Sequence, residues 1–324
     1  MDRTITYTIN SSHPITVKAF LHTLGYSAQN IIFLKKIPGA ISVNHEPVPV
    51  SRIIQPGDEL TIYIHETDVS PIEPVELPLS ILYEDEDLLV INKAAGMPCH
   101  PSQNNHGNSL ANALAHYYAA QGKPFVFRCI NRLDKDTSGL TIVAKHSISA
   151  GILSSMQSHG TATTESISQG NLRIGQEICT PDTQIPFINK GIRREYLAIV
   201  AGTPTPTEGT ISVPIGRAPD SIIARVPDPE KGDPAITHYR VIRETKRHSL
   251  VSLILETGRT HQIRVHMKYL GYPLIGDHLY HPDMQYINRH ALHARSLDFI
   301  HPITGKAMHF TTPLPPDMEA VLNL

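Results

Sequence analysis

The stretch Asn131-Arg132-Leu133-Asp134-Lys135-Asp136-Thr137-Ser138-Gly139-Leu140 carries the most information about the fold of this chain. It places one carboxylate, Asp134, just before a Thr-Ser-Gly turn signal, and strand-forming residues follow over 140–145. A carboxylate fixed where a turn meets a strand can point into a cleft with its geometry set by the sheet, as a nucleophile or base requires. Taken alone, the stretch has a simpler interpretation, an aspartate that caps a turn and pairs with Arg132.

Two later segments agree with the catalytic interpretation. Residues 193–202 read Arg-Arg-Glu-Tyr-Leu-Ala-Ile-Val-Ala-Gly, and residues 255–266 read Leu-Glu-Thr-Gly-Arg-Thr-His-Gln-Ile-Arg-Val-His, continuing to Gly-Asp at 276–277. Together with Asp134 in its setting, these segments resemble, in order and rough spacing, the three signature motifs of the RluA/RluD-type pseudouridine synthases. Shorter matches at 91–98 and 292–294 extend the resemblance over residues 77–318. Three ordered motifs are far more specific than any one of them.

The resemblance implies a role for each matching residue. The first motif is similar to the family's catalytic-aspartate motif, the second to its strand with a base-stacking tyrosine, Tyr196, and the third to its Gly-Arg-Thr-His-Gln-Ile-Arg strand, which ends at Arg264. Catalytic roles follow for Asp134, Tyr196 and Arg264. Roles in binding RNA or substrate follow for a larger set, namely Arg132, Thr137, Arg259, His261, Gln262 and Ile263.

The chemistry of uridine isomerisation fits these residue types. The N-glycosidic bond breaks, the base turns, and it is rejoined through ring carbon five, so that no redox cofactor or energy donor is needed. The sequence has no Gly-rich phosphate loop or dinucleotide fingerprint, and we expect no cofactor. A carboxylate beside the ribose is needed, and a buried one must stay ionised, which calls for a cation such as Arg264. A uridine in folded RNA must leave its stack, and an aromatic face such as Tyr196 compensates by about 1–3 kcal/mol.

Each of these residues also has an ordinary structural interpretation. Arg264 could form a routine ion pair, Tyr196 could be half-buried core, and Arg132 could be a surface arginine instead of reaching into the space that the base vacates. Asn131 stands where the family usually has His and is not expected to carry the chemistry. A non-catalytic RNA-binding protein that has kept the fold is the alternative function, and three intact catalytic residues count against it.

Composition predicts a soluble cytoplasmic protein. No apolar run approaches the roughly 20 residues of a membrane helix, and the N-terminus lacks a signal-peptide pattern. The three cysteines, Cys99, Cys129 and Cys179, are scattered and odd in number, which favours a reducing compartment over a disulfide framework. The 19 histidines include no His-Glu-x-x-His helix, so that we expect no metal and no metal hydrolase activity.

Charge is distributed unevenly around a net value of −2. Residues 1–90 carry five basic side chains against twelve acidic ones, whereas residues 239–295 carry nine against four. A locally basic face is enough to follow phosphates, because counterion release depends on local contacts. We therefore expect RNA as the partner, ribosomal RNA first and transfer RNA as the other candidate, bound by a monomer.

The chain divides into a small N-terminal module and a catalytic domain. Residues 1–68 predict two short helices and then strands, and they resemble the alpha-L RNA-binding module of these synthases, although this copy is acidic. The module either docks RNA or acts only as a folding unit. Residues 69–76 predict a proline-rich, semi-rigid linker, and residues 77–324 form the catalytic domain.

Within this organisation the predicted fold class is α+β, because strands with antiparallel-type turns outnumber helices. Helices are predicted at 15–24, after an N-cap at Ser27 with Ile31, Ile32 and Leu34 on one apolar face, at 108–119 and at 148–157. Strands are predicted at 40–45, at 59–64, within 79–93, where the acidic turn 84–87 divides a strand pair, and at 249–255. The resemblance implies a mixed, mostly antiparallel central sheet with the cleft across its middle. Residues 160–190 form a long polar insertion, predicted to be disordered without RNA or to fold over it.

Overall fold

The computed structural model describes residues 2–11, 13–103, 105–158 and 191–324, and its longer strands fall into two sheets. The smaller sheet belongs to the N-terminal module and has the strand order β1-β6-β3-β4. Strand β6 shows why the module folds in this way, since alternate residues Leu60, Ile62 and Ile64 are fully buried and the residues between them face outward. The elements of the module are β1 (Asp2–Thr8), β2 (Ile15–Thr16), α1 (Val17–Thr23), α2 (Ala28–Lys35), β3 (Ile41–Val43), β4 (Glu46–Pro47), β5 (Ile53–Ile54) and β6 (Glu59–His65).

Both predicted helices of the module form, with two differences in detail. Ser27 caps α2 as expected, through a capping box in which Asn30 is the reciprocal partner. Helix α1 is shorter than predicted, because Ile15 and Thr16 pair with β5 and the Thr16 hydroxyl then caps the helix. The prediction that Ile32 shares the buried face of α2 was wrong: Ile32 is 54% exposed, because at 3.6 residues per turn it lies about 100° around the helix from Ile31 and about 160° from Leu34, which both face inward.

The larger sheet has nine strands in the order β11-β14-β15-β10-β16-β9-β8-β7, with β17 also paired to β16. The described pairs are antiparallel except β9 with β16, which run parallel. The sequence therefore correctly predicted an α+β fold with a mixed, mostly antiparallel sheet. The elements are β7 (Ile81–Glu84), β8 (Leu88–Lys93), α3 (Leu110–Ala119), β9 (Ser138–Ala144), α4 (Ser147–Ser158), β10 (Arg193–Ala201), β11 (Glu208–Ser212), β12 (Ile215–Arg217), β13 (Arg225–Pro227), β14 (Ile236–Glu244), β15 (His248–Leu255), α5 (Gln262–Tyr269), β16 (Leu292–Ile300), β17 (Ala307–Thr311) and α6 (Pro316–Leu322).

The central strands owe their position to continuous apolar sequence. Every residue of β9 is buried, and seven of the eight residues of β15 are buried, because helices or loops cover both faces of the sheet there. The acidic turn between β7 and β8 and the helices α3 and α4 lie where the sequence predicted them.

The Gly-Arg-Thr-His-Gln-Ile-Arg motif is not a strand, contrary to the prediction from the resemblance. The chain leaves the sheet at Leu255 and, after a turn, enters α5, so that Arg264 lies on a helix. The reason is the spacing of apolar residues, since Ile263, Met267 and Leu270 all pack into the cluster that contains Tyr196. Spacings of four and three residues place side chains on one helix face and not on one strand face.

The N-terminal module shares its core with the catalytic domain. Ile148 and Ile152 of α4 are fully or almost fully buried among the module residues Leu21, Ile31 and Leu34. At the edge of this contact, Arg3 Nε donates to Asp87 Oδ1 at 2.8 Å, and Arg128 donates to Glu66 at 2.7 Å. The module is therefore docked through apolar and ionic contacts.

The residues predicted as a linker also contact the catalytic domain. Ser70 donates its N–H to Phe125 O, and Val75 donates its N–H to Asn112 O. The domain boundaries at residues 68 and 76 stay predictions, and the predicted insertion at 160–190 lies outside the described residues. Within the described part of the chain, no helix combines the length and the apolar character needed to cross a membrane.

Candidate active site

The three sequence motifs meet in one open cleft with an empty volume of about 360 Å³. All nine residues to which the resemblance assigned a role line this cleft, together with three leucines. The lining residues are Arg132, Leu133, Asp134, Thr137, Tyr196, Leu255, Arg259, His261, Gln262, Ile263, Arg264 and Leu292.

The loop that carries Asp134 is closed at its base by Asn131. The Asn131 side chain is buried, and its Nδ2 donates to Leu140 O while its Oδ1 accepts from Ile142 N. The Thr141 hydroxyl in turn donates to Asn131 O. The amide therefore joins the two ends of the loop, and its burial argues for a structural role at the position where the family usually has His.

Two buried cationic side chains, Lys93 and Arg289, donate hydrogen bonds to backbone carbonyls of the loop that carries Asp134. Lys93, only 1% exposed, donates from Nζ to Lys135 O at 3.0 Å and to Ala94 O and Met97 O. Burial lowers the pKa of Lys93 to about 8. Arg289 NH1 donates to Asp136 O at 3.1 Å.

Two buried histidines hold the far side of the loop. His290 Nε2 and the Thr137 hydroxyl are hydrogen-bonded at 2.8 Å, and His293 Nδ1 and the Ser138 hydroxyl at 2.9 Å. Burial lowers the pKa of both histidines to about 4, and both are therefore neutral at pH 7. Thr137 faces this contact and is 2% exposed, which makes it part of the cleft wall.

Gly139 explains why the motif contains a glycine. It has a φ of +108° at the parallel crossing of β9 and β16, and a Cβ there would lie 2.2 Å from Ala294 O. Only a glycine permits both this backbone conformation and this approach. The position of the loop relative to β16 therefore depends on residue 139.

Asp134 is joined to a buried ion chain. Arg264 NH1 donates to Asp134 Oδ2 at 3.1 Å, and Arg264 Nε and NH2 donate to the two oxygens of Asp277 at 2.7 and 2.8 Å. Arg264 is 3% and Asp277 0% exposed, whereas 27% of the Asp134 side chain is exposed. The acid expected to be buried is thus half-buried, with a fixed cation behind it and the cleft in front.

Burial and ion pairing act in opposite directions on this chain. Burial alone would disfavour the Arg264 cation, but its hydrogen bonds and charge interaction with Asp277 outweigh burial and raise the pKa of Arg264. The same contacts lower the pKa of Asp277 against the effect of its own burial. Arg264 and Asp277 therefore both stay charged at neutral pH.

Tyr196 forms an apolar wall of the cleft. It lies on β10, which pairs with β15 on one side and β16 on the other, and it is 6% exposed. Its ring packs with Leu133, Ile263 and Leu292. Burial raises the pKa of the Tyr196 hydroxyl, which therefore stays protonated at neutral pH.

Four further lining residues form one exposed pair and one buried pair. Arg132 and Arg259 are exposed at the cleft, and Arg259 Nε donates to Pro234 O. Gln262 and Ile263 are buried. The Gln262 side chain accepts from Arg259 N and donates to Ile236 O, so that it fixes the turn before α5.

The sequence analysis gave no role to three residues that contact this site, Asp277, Lys93 and Tyr280, whose hydroxyl lies 2.9 Å from His261 Nδ1. Asp277 and Lys93 lie in segments that match the family. The sequence does not indicate, however, that Asp277 pairs with Arg264 or that Lys93 donates to Lys135 O. Cys99 is buried, and its Sγ accepts from Leu133 N at 3.4 Å.

One group of potential metal ligands, Asp85, Asp87 and His301, occurs among the described residues, and none of the three lines the cleft. Their ligand atoms are engaged by protein partners. His301 Nε2 pairs with Asp85 at 2.8 Å, and Asp87 accepts from Arg3 and pairs with His146 Nε2 at 3.0 Å. This arrangement is an ion-pair network where the N-terminal module meets the catalytic domain.

Comparison with known proteins assigns the chain to a family. Residues 87–164 and 183–269 match the model of the RNA pseudouridylate synthase family. The uncharacterised RNA pseudouridine synthase YjbO of Bacillus subtilis is 40% identical over 312 residues, which cover 95% of this chain and 99% of that protein. The ribosomal large subunit pseudouridine synthase D of Vibrio parahaemolyticus is 36% identical over 302 residues, 88% of this chain and 82% of that protein.

A solved structure agrees with these sequence matches. The human RNA pseudouridylate synthase domain containing 1 superposes with a TM-score of 0.55 at 25% identity and covers 77% of this chain and 90% of that one. The chain therefore belongs to the RNA pseudouridylate synthase family, whose members are isomerases.

Proposed function

We propose that this protein converts uridine to pseudouridine in structured ribosomal RNA, with Asp134 as the catalytic carboxylate. The observation that carries this proposal is the partly exposed Asp134 carboxylate at a cleft, 3.1 Å from the buried Arg264 guanidinium. A carboxylate in this setting is oriented by a fixed cation and accessible from the cleft, as attack on a ribose carbon or removal of a ribose proton requires.

The reaction is balanced without any further reactant. As a nucleophile, Asp134 bonds to C1′ as the C1′–N1 bond breaks, and this ester bond breaks again when C1′ bonds to C5. As a base, Asp134 instead takes the C2′ proton as the C1′–N1 bond breaks and returns it to C2′ at the end. The freed uracil turns, C1′ bonds to C5, the hydrogen on C5 leaves as a proton, and N1 gains a proton. Arg264 balances the charge of Asp134 before the reaction and as that charge changes.

The target uridine must leave its stack to reach Asp134, and two features of the cleft support this step. Tyr196 offers an aromatic wall against which the uracil can stack, and a protonated hydroxyl for proton transfer. The exposed Arg132 and Arg259 are suited to hold phosphates or to fill the space left by the base.

Ribosomal RNA is proposed as the substrate because several relatives are named ribosomal large subunit pseudouridine synthase D. The distribution of charge also supports RNA as the substrate, although fewer basic residues are exposed than the sequence contains. Of the nine basic residues in 239–295, Arg264 and Arg289 are buried in ion pairs, and the other seven are at least partly exposed. The acidic N-terminal module, in which Lys18, Lys35, Lys36 and Arg52 are exposed, is proposed to add weaker RNA contacts.

The test is to map pseudouridines in ribosomal and transfer RNA from a strain that lacks the gene and from its parent. We expect one or a few ribosomal sites to lose the modification and to regain it when the purified protein is added. Loss of a site in transfer RNA alone would change the substrate class. An unchanged map, with no release of tritium from ribosomal RNA labelled at uridine C5, would contradict the proposed function.

A further inference from the structure

Tyr280 lies behind the cleft with its hydroxyl between two nitrogen atoms. The backbone N–H of Arg225 donates to the Tyr280 hydroxyl at 2.8 Å, and that hydroxyl lies 2.9 Å from Nδ1 of His261. Tyr280 is 8% exposed, and the His261 side chain is 10% exposed. The hydroxyl is therefore removed from competing water and must satisfy both neighbours at once.

The contact with Arg225 selects one tautomer of His261. An amide N–H can only donate, so the Tyr280 oxygen accepts there and its own proton is available for His261. That proton is used only if Nδ1 is the acceptor, which leaves the imidazole proton on Nε2. Because burial lowers the pKa of His261, the ring is neutral at pH 7 and carries a single proton.

His261 Nε2 points toward Asp134 and lies 3.8 Å from its Oδ2. This distance is too long for a hydrogen bond. No described residue accepts a hydrogen bond from Nε2, and His261 lines the open cleft. The Nε2–H group is thus directed to the space beside the catalytic carboxylate, where an oxygen of the bound nucleotide would lie.

Tyr280 is tied to the ion chain as well as to His261. Its backbone N–H donates to Asp277 Oδ1 at 3.2 Å, and the Arg264 guanidinium carbon lies 5.0 Å from its ring centroid. His261 itself has a φ of +58°, an uncommon backbone conformation for a residue other than glycine. Such a conformation persists only where surrounding contacts hold it, and it is frequent at active sites.

We propose that Tyr280 is a positioning residue that holds His261 in the Nε2–H tautomer, so that His261 donates a hydrogen bond to an oxygen of the flipped nucleotide next to Asp134. This inference rests on the proposed function for its kinetic consequence. Its structural part, the tautomer of His261, can be measured without substrate.

The first experiment measures the tautomer by nitrogen NMR of protein with ¹⁵N-labelled histidine. The His261 signals are assigned by comparison with the His261→Gln variant. We expect protonated Nε2 and unprotonated Nδ1 in the wild-type protein, and a mixture of tautomers in Tyr280→Phe. The control is Tyr286→Phe, which also removes a hydroxyl with an arginine partner, Arg247, and which should leave the His261 signals unchanged.

The second experiment measures single-turnover rates and RNA affinity. We expect Tyr280→Phe to lower the rate about tenfold, the effect of one hydrogen bond, with little change in RNA affinity. In His261→Gln the new amide nitrogen can reach the place of imidazole Nε2, whereas in His261→Asn the shorter side chain brings its amide only to the place of Nδ1. His261→Gln should therefore retain more activity than His261→Asn. Adding Tyr280→Phe to His261→Gln should lower the rate no further, because Tyr280 acts through His261.

Two outcomes would overturn the inference while the proposed function stands. One is an active wild-type enzyme whose His261 carries its proton on Nδ1. The other is an effect of Tyr280→Phe that adds in full to that of His261→Gln, which would mark Tyr280 as merely structural. An inactive wild-type enzyme would instead contradict the proposed function, and the NMR result would still decide the tautomer.

Discussion

At the scale of single residues, the site depends on one guanidinium shared by two carboxylates. Arg264 donates three hydrogen bonds, two to Asp277 and one to Asp134, and it is almost fully buried. A buried ion pair adds little net stability, but removing one partner leaves an uncompensated charge. Asp277 therefore determines the orientation of Arg264, and through it the orientation of the Asp134 carboxylate.

The substitution Asp277→Asn tests this dependence. We expect it to lower the free energy of unfolding by about 3–5 kcal/mol, because an amide cannot balance the buried cation. Tritium release from uridine-labelled RNA should fall at the same time, because Arg264 turns away from its position behind Asp134. The control is Asp283→Asn, an exposed carboxylate six residues away, which should change neither quantity. Normal turnover by the Asp277 variant would show that Arg264 needs no second acid.

The two histidines behind the loop make stability depend on pH. Their pKa is about 4 in the folded state and about 6.5 when unfolded, so the unfolded chain binds protons first as the pH falls. The two neutral histidines contribute fully to the free energy of unfolding above pH 6.5, and this contribution is lost as the pH falls toward 4. By pH 5 the loss is about 2 kcal/mol for each histidine. Urea unfolding at several pH values should show that the free energy of unfolding decreases from pH 6.5 to pH 4, and His293→Gln should make this slope smaller. An identical slope in that variant would contradict the assignment to His293.

At the scale of elements, the parallel crossing of β9 and β16 sets the position of the Asp134 loop. We expect Gly139→Ala to lower the free energy of unfolding by about 3 kcal/mol or more, from the positive φ and the overlap with Ala294 O together. Gly305→Ala is the matched control, because Gly305 has a φ of +70° with no atom within 4 Å of an added methyl group. That control should cost about 1 kcal/mol. Equal losses in the two variants would mean that the close approach to β16 is unimportant.

The sequence predicted the helices and strands whose apolar residues have a clear periodicity. Its predictions were wrong or missing where they depended on the backbone path or on contacts between distant residues. The strand after Asp134 was predicted from its strand-forming residues and the strand around Tyr196 from the family resemblance, and all nine residues given a role line the cleft. The helix at Gln262–Tyr269 was taken for a strand, because the short motif was interpreted by resemblance and its spacing of Ile263 and Met267 was not used.

The contacts of Asp277, Lys93 and Tyr280 could not have been predicted from the sequence. Each links residues far apart in the chain, such as Lys93 with Lys135, and each depends on burial that residue letters do not record. A buried lysine that donates only to carbonyl groups has no local sequence signal. Such contacts emerge only when the sheet brings the loops together.

At the scale of the whole molecule, the shared core of the module and α4 predicts a single unfolding transition. Ile152 is 2% exposed and packs among module residues, so that neither part is fully covered without the other. We expect Ile152→Ala to lower the free energy of unfolding by about 2–5 kcal/mol and to shift the whole transition in urea. Exposed Ile32→Ala is the control, with little effect expected. A separate early transition of the N-terminal residues would contradict a shared core.

The central claim is that the Asp134 carboxylate performs the reaction, and substitution by its amide tests it most directly. Asp134→Asn keeps the size of the side chain and an oxygen near Arg264 but removes the nucleophile or base. With ribosomal RNA labelled by tritium at uridine C5, we expect the variant to bind RNA with affinity close to that of the wild type and to release no tritium in a single turnover. Tritium release at the wild-type rate by Asp134→Asn would contradict the account.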